Sequence, residues 1–519
     1  MTDLVLTGWI VDGTGAAPFA GWVAVETDRI VGVGQLEEPV PQASRTIGGS
    51  TLVVAPGFVD VHNHSDLSPF LLPEMPSTLR QGVTSVVVGN CGSSPWPLAA
   101  WDEAVGLAYG EAGAISRPSW DGWHDYLDAI DTARPAVNVA TLVGHGSVRQ
   151  EVIGLERREP SEVELDRMRG FVRDAVADGA VGLSTGLIYV PGIFSRTDEV
   201  VALATAAADV GGLYASHIRG EGSGLFSAVV EALEIGERAG LPVHVSHLKC
   251  ESSRVWGRAE ELLGMLHDAP DATGDQYPYA AWNSSLASLL PPWAPVADIA
   301  TIVATERERL RASVETGEPG FQSSVDGVGW DRIVLVSAPR PAWRGQHVAA
   351  VAEDLGVDPF DAFVQLLEAD PEVSCIGHAM TEGDVRAIAA DPAVFVASDA
   401  SATAPDGPGG DLPVHPRDYG TFPRALAMAR DGLLPLEAMV RKMTALPAER
   451  FGLRDRGTIK TGAFADLVVF DPKAVRDTAT FEEPHAYPQG VAAVIVNGTV
   501  AWETGDVETA RAGRALRRT

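Results

Sequence analysis

Pro56-Gly57-Phe58-Val59-Asp60-Val61-His62-Asn63-His64 is an apolar run that ends in ligand-type side chains. With Val53-Val54-Ala55 before it, the run 53–61 predicts a buried strand. Side chains alternate along an extended chain, so His62 and His64 fall on one side and can share a cation. Similar apolar runs follow near 84–89, 137–143, 180–184, 213–217, 242–247, 272–276, 373–377 and 394–398. Several segments between them have helical period. Ser161 with Glu164 reads as a capping box for a helix running toward Gly179. Residues 225–239 predict another, with Gly240 just past its end. Continuous apolar strands alternating with helices imply a parallel sheet, and about eight such units make a TIM-like (β/α)8 barrel. There are nine runs for eight places, so either 272–276 or 373–377 lies outside the barrel.

The two ends of the chain read differently. Residues 1–55 hold short strand-like pieces such as 4–6, 22–25 and 30–33, separated by Gly and Asp. Residues 465–470 and 491–496 are similar, the second followed by the turn pair Asn497-Gly498. Neither end is long enough for a stable sheet alone. The expectation is one small β-sandwich-like domain from 1–55 and 455–519, beside a catalytic barrel over 56–454. Residues 284–345 break the strand–helix rhythm with Pro291-Pro292, a charged helix near 305–315 and a strand near 332–337. They read as an insertion over the barrel mouth. Residues 401–416, rich in Pro, Gly and Asp, read as a long loop.

Bulk properties narrow the setting. Of 519 residues, 45% are hydrophobic and 21% charged, ordinary for a chain that buries a large core. No apolar run approaches the about 20 residues of a membrane helix. The N-terminus lacks a basic segment followed by an apolar one, and three cysteines do not suggest a disulfide framework. A cytoplasmic protein is expected. The formal net charge of −31 argues against nucleic acid or anionic membranes as partners.

Barrel chemistry sits at the C-terminal ends of the strands. Cys91 lies just past the run 84–89; alone, such a cysteine is more often a small apolar filler than a metal ligand. His217 and His247 end the runs 213–217 and 242–247 at matching places. Asp399 follows 394–398 at the same rim. An acid there can also cap a helix or close a turn, but it completes a ring with the imidazoles and the thiol. Such borderline-soft donors suit Zn²⁺, which lowers the pKa of a water toward ~7 and polarises a carbonyl. Asp399 is then placed as general base and later as acid to the leaving amine. Lys249, two residues past His247, and Arg417 are the rim cations for a substrate carboxylate; elsewhere they would be ordinary solvated charges.

The chain resembles the N-acyl-D-amino-acid deacylases (D-aminoacylases) of the amidohydrolase superfamily. The resemblance runs through nearly the whole length. It rests on 56–64, Gly89-Asn90-Cys91-Gly92, Gly144-His145-Gly146, 184–192, Ser246-His247-Leu248-Lys249, Tyr277-Pro278-Tyr279, Ser398-Asp399, His415-Pro416-Arg417 and Phe464-Ala465-Asp466-Leu467. It implies zinc held by Cys91, His217 and His247, and a second, weaker position at His62, His64 and Asp399. It implies substrate contacts from Tyr189, Lys249, Tyr279, Ser284 and Arg417. The implied substrate is a small N-acyl amino acid, with D-selectivity carried by the resemblance alone. A homo-oligomer is compatible with it. Two departures stand out: Ala400 where the family usually has Gly, and a longer segment over 401–414.

Two other readings compete. A cyclic-amide hydrolase of dihydropyrimidinase or dihydroorotase type would carry a lysine on the fourth strand, where this chain has Leu183-Ser184-Thr185-Gly186. A non-catalytic scaffold would have lost metal ligands, and this chain keeps every candidate.

Overall fold

The computed structural model describes residues 2–101, 116–407, 410, 414–505 and 509–518. Four strands open the chain: β1 (Thr2–Ile10), β2 (Phe19–Glu26), β3 (Arg29–Gln35) and β4 (Ala43–Pro56). β1 pairs antiparallel with β2 and parallel with β4. The single run expected over 53–61 is two strands. Val53 and Val54 belong to β4, and Gly57 carries the chain into the barrel at Phe58.

The next seven strands are β5 (Phe58–Asp60), β6 (Val83–Val88), β7 (Asn138–Gly144), β8 (Gly182–Gly186), β9 (Leu213–His217), β10 (Val243–Val245) and β11 (Ala272–Gln276). From β6 on, each pairs parallel with its predecessor, as strands separated by helices do. The capping box at Ser161 and Glu164 opens the helix Glu162–Ala177. The helix Leu225–Ala239 ends at Gly240, whose φ of +70° a side chain would disfavour.

The chain then leaves the barrel. β12 (Trp282–Ser285), β13 (Ile333–Leu335) and β14 (Ser374–Gly377) form a separate antiparallel sheet in the order β12-β14-β13. The charged helix is Ile299–Thr316. One hydrophobic cluster gathers this unit, from Tyr277 to Val385. The run 373–377 is therefore the one outside the barrel, and 272–276 lies inside it. β15 (Val394–Val396) returns to pair with β11 and completes eight strands.

The ring closes beyond the ends of β5 and β15. His64 N–H donates to Ala400 O and Asp399 N–H to His62 O, both at 2.8 Å. Asp60 accepts from Ser398 N–H at 2.9 Å and from its hydroxyl at 2.5 Å. Val59, Val87, Leu142, Val181, Ala215 and Phe395 fill the barrel, with Phe451 and Leu453 in the same cluster. The interior is thus a packed core, which leaves its C-terminal rim for chemistry.

The far end of the chain supplies β16 (Leu467–Phe470), β17 (Val491–Val496) and β18 (Thr499–Glu503). They join the opening strands in one seven-stranded sheet, β18-β17-β16-β4-β1-β2-β3. Alternation divides β16. Leu467 and Val469 pack with Leu4, Leu6 and Val23, while Val468 and Phe470 join the cluster around Phe58 that docks the sheet on the barrel. Asn497 and Gly498 turn β17 into β18 with φ of +46° and +79°, as a two-residue hairpin demands. Within the loop expected over 401–416, residues 408–409 and 411–413 lie outside the described ones. Among the described residues no helix is long and apolar enough to cross a membrane.

Candidate metal centre

Each candidate ligand stands where a strand hands over to the loop above it. Cys91, His247 and Asp399 have φ of +53°, +32° and +52°, left-handed values that cost a non-glycine residue about 1–3 kcal/mol. Barrel packing on both sides must hold that conformation. Close approach of neighbouring loops helps: a Cβ on Gly186 would lie 2.0 Å from Cys91 O. Only glycine lets the strand ends meet there.

The turns bring the donors together. Cys91 Sγ lies 3.5 Å from His217 Nδ1 and 3.7 Å from His247 Nε2, and those two nitrogens are 2.9 Å apart. Donors around one tetrahedral zinc stand about 3.4–3.6 Å apart for bonds of about 2.0–2.3 Å. His62 Nε2 is 3.3 Å from Cys91 Sγ and 3.4 Å from Asp399 Oδ1, and His64 Nε2 is 3.1 Å from the same carboxylate oxygen. Three groups of donors lie within reach of a common ion: His62-Cys91-His247, His62-His64-Asp399 and His217-Glu221-His247. Burial alone would raise the Cys91 thiol, but His62 and His217 outweigh it and hold the thiol well below its usual range, which favours the thiolate a soft cation needs. The donor chemistry fits a metal cofactor.

Carboxylates behind the ligands fix their orientation. Asp275 on β11 accepts from His244 Nε2 at 2.8 Å and from His247 N–H at 2.8 Å, and lies 3.3 Å from His62 Nδ1. This turns His62 Nε2 toward the cluster. Burial would raise Asp275, yet the neighbouring His62 holds it well below the carboxylate range. Glu221 Oε1 is 2.9 Å from His247 Nδ1 and 2.6 Å from Lys249 Nζ. With His247 Nε2 facing Cys91, Nδ1 faces Glu221 Oε1, and Lys249 Nζ lies 2.8 Å from the same nitrogen.

Sequence reasoning missed Glu221, Asp275 and Asp60. Glu221 had a weak signal, four residues after His217. Asp275 had a stronger one, a lone acid in a run expected to be a barrel strand.

A cavity of about 460 Å³ opens above the cluster. Tyr189, Lys249, Ser284, Asp399 and Arg417 line it, with Trp282 and Asn283 of the inserted sheet on the far wall. Tyr189 stands with its ring 4.9 Å from that of His217. Lys249 is buried and tied to Glu221, so its ammonium already has a partner. Tyr277, not the expected Tyr279, faces the cavity. Tyr279 packs edge-on to His415 and under the Arg424 guanidinium; its N–H bonds to Tyr277 O at 2.9 Å, so the chain turns at Pro278 and the two rings part.

A parallel barrel with imidazoles, a thiol and carboxylates converging at its C-terminal rim is the architecture of a metal-dependent hydrolase. The model of the Amidohydrolase family matches residues 51–309 and 385–501, and the chain belongs to that family. A D-aminoacylase of Alcaligenes xylosoxydans xylosoxydans is 35% identical over 523 residues, spanning 100% of this chain and 98% of the relative. An N-acyl-D-glutamate deacylase of the same organism is 36% identical over 525 residues, spanning 99% and 96%. The crystal structure of an N-acyl-D-glutamate deacylase from Bordetella bronchiseptica, complexed with zinc and a phosphonate inhibitor, superposes with a TM-score of 0.81 at 34% identity over 99% of both chains. A D-hydantoinase superposes with a TM-score of 0.54 at 14% identity over 100% of this chain and 99% of its own, a likeness of fold alone.

Proposed function

We propose that the chain hydrolyses the amide bond of N-acyl-D-amino acids, releasing a carboxylate and a free D-amino acid. Zinc is held by Cys91, His217 and His247, and a second, weaker position lies at His62, His64 and Asp399. The observation that carries this reading is the meeting of three donors 2.9, 3.5 and 3.7 Å apart beneath a cavity that also holds Asp399. A cation there lowers the pKa of a water and polarises the scissile carbonyl.

The protein does the rest. Asp399 takes the proton from the attacking water and returns it to the leaving amine. Burial would raise its pKa, but Arg417 and His62 hold it well below the usual range, so it rests as a carboxylate. The Arg417 fork suits the substrate α-carboxylate. Tyr189, Lys249 and Ser284 line the same space and orient the amide. The inserted segment 284–345 walls the mouth and limits water, above the barrel of 56–454 and beside the terminal domain of 1–55 and 455–519. Selection of the D configuration rests on the relatives' names.

Incubation of the zinc-loaded protein with N-acetyl-D-leucine, N-acetyl-L-leucine and hydantoin tests the reading. Acetate released from the D compound alone supports it. Ring opening of hydantoin, or preference for the L compound, refutes it.

A further inference from the structure

The two curated relatives carry different substrate classes in their names, and identities of 35% and 36% do not separate them. The charges lining the cavity do. Among the described residues its cations are Lys249 and Arg417. Lys249 Nζ donates to Glu221 at 2.6 Å, and Arg417 to Asp399 at 2.8 Å. Against these two stand five carboxyl groups: Asp66, Glu221, Glu251, Asp399 and Asp418. The stretches 102–115 and 408–413 contain no Lys or Arg, so they bring no further cation. Arg157, Arg158 and Arg196 line a separate hollow on the surface.

We propose that this site, resting on the deacylase reading above, takes N-acyl amino acids with an uncharged side chain and rejects those whose side chain carries a second carboxylate. The α-carboxylate of any such substrate engages Arg417. A side-chain carboxylate needs a second cation besides Arg417, and Lys249 is already held by Glu221. Two carboxyls that line the cavity are pushed toward their neutral forms, chiefly by burial. Burial, then the charge of Glu221, pushes Glu251 up to about 8, and burial pushes Asp418 up to about 7. A carboxyl brought in on a side chain meets the same surroundings. Leu67, Pro95, Ile188 and Val190 add apolar surface to the lining for an uncharged group.

The test is a comparison of kcat/KM for N-acetyl-D-glutamine and N-acetyl-D-glutamate on the zinc-loaded, unmutated protein. The two have nearly the same size and differ in charge. Glutamine derivative favoured by about tenfold or more is the expected result. Glutamate derivative cleaved as well as its amide, or better, overturns the proposal. N-acetyl-D-leucine and N-acetyl-L-leucine are run beside them. If only the L compound is hydrolysed, it is the deacylase reading that fails, and the two failures stay distinct.

Discussion

Arg417 Nη1 donates to Asp399 Oδ2 at 2.8 Å, so the residue placed to bind the substrate carboxylate also restrains the residue placed to move the proton. Arg417 is buried and Asp399 partly so, and Arg417 opens the helix Arg417–Arg430 rather than lying in a free loop. Arg417→Ala removes a carboxylate fork. Its expected effect is a rise in KM of about tenfold or more, larger than the fall in kcat. Steady-state kinetics decide it, and an unchanged KM removes Arg417 from substrate binding.

Asp399→Asn keeps the shape of the side chain and loses its basicity. The Cys91, His217 and His247 donors are untouched, so zinc content stays near wild type while turnover falls about a hundredfold or more. Metal analysis and rate on the same sample give both numbers. Substantial remaining activity would show that the proton goes elsewhere.

Glu221 acts through the ligands, not on the substrate. Glu221→Gln weakens the hold on His247 Nδ1 and frees Lys249. Zinc affinity measured by competition with a chelator should fall about 10–100-fold. Unchanged affinity would reduce Glu221 to a partner for Lys249.

Away from the centre, Glu199 joins His145 at 2.9 Å and Arg149 at 2.6 Å in a buried cluster. Burial would raise Glu199, but His145 and Arg149 bring it below the usual carboxylate range. A folded pKa below the unfolded one gives stability that is present above the unfolded value and lost as pH falls through the folded one. Glu199→Gln leaves Arg149 buried without its counter-charge, a cost of about 3 kcal/mol at neutral pH. The difference in Tm between variant and wild type should therefore be large at pH 7 and shrink below about pH 4. A difference independent of pH would mean packing, not charge, is lost.

Much of this was legible because a barrel puts its chemistry at strand ends. His62, His64, Cys91, His217, His247 and Asp399 each follow an apolar run, and the structure gathers all six. The capping box at Ser161 and the turn at Asn497-Gly498 are local signals that tertiary packing did not override. What stayed hidden depends on distant contacts. Asp275 reads as any strand acid until His62, His244 and the backbone of His247 converge on it. Two runs of similar character, 272–276 and 373–377, compete for one place, and only strand pairing assigns them. The positive φ at Cys91, His247 and Asp399 leaves no trace in residue type. Tyr277 and Tyr279 would share a side in an extended chain, and the turn at Pro278 that parts them follows from contacts made elsewhere.

Zinc content and hydrolysis of N-acetyl-D-leucine, measured on the same preparations of wild type and Cys91→Ala, probe the centre itself. Wild type should hold tightly bound zinc and cleave the substrate, and the variant should lose both together. A Cys91→Ala protein that keeps its zinc and its activity would contradict the account.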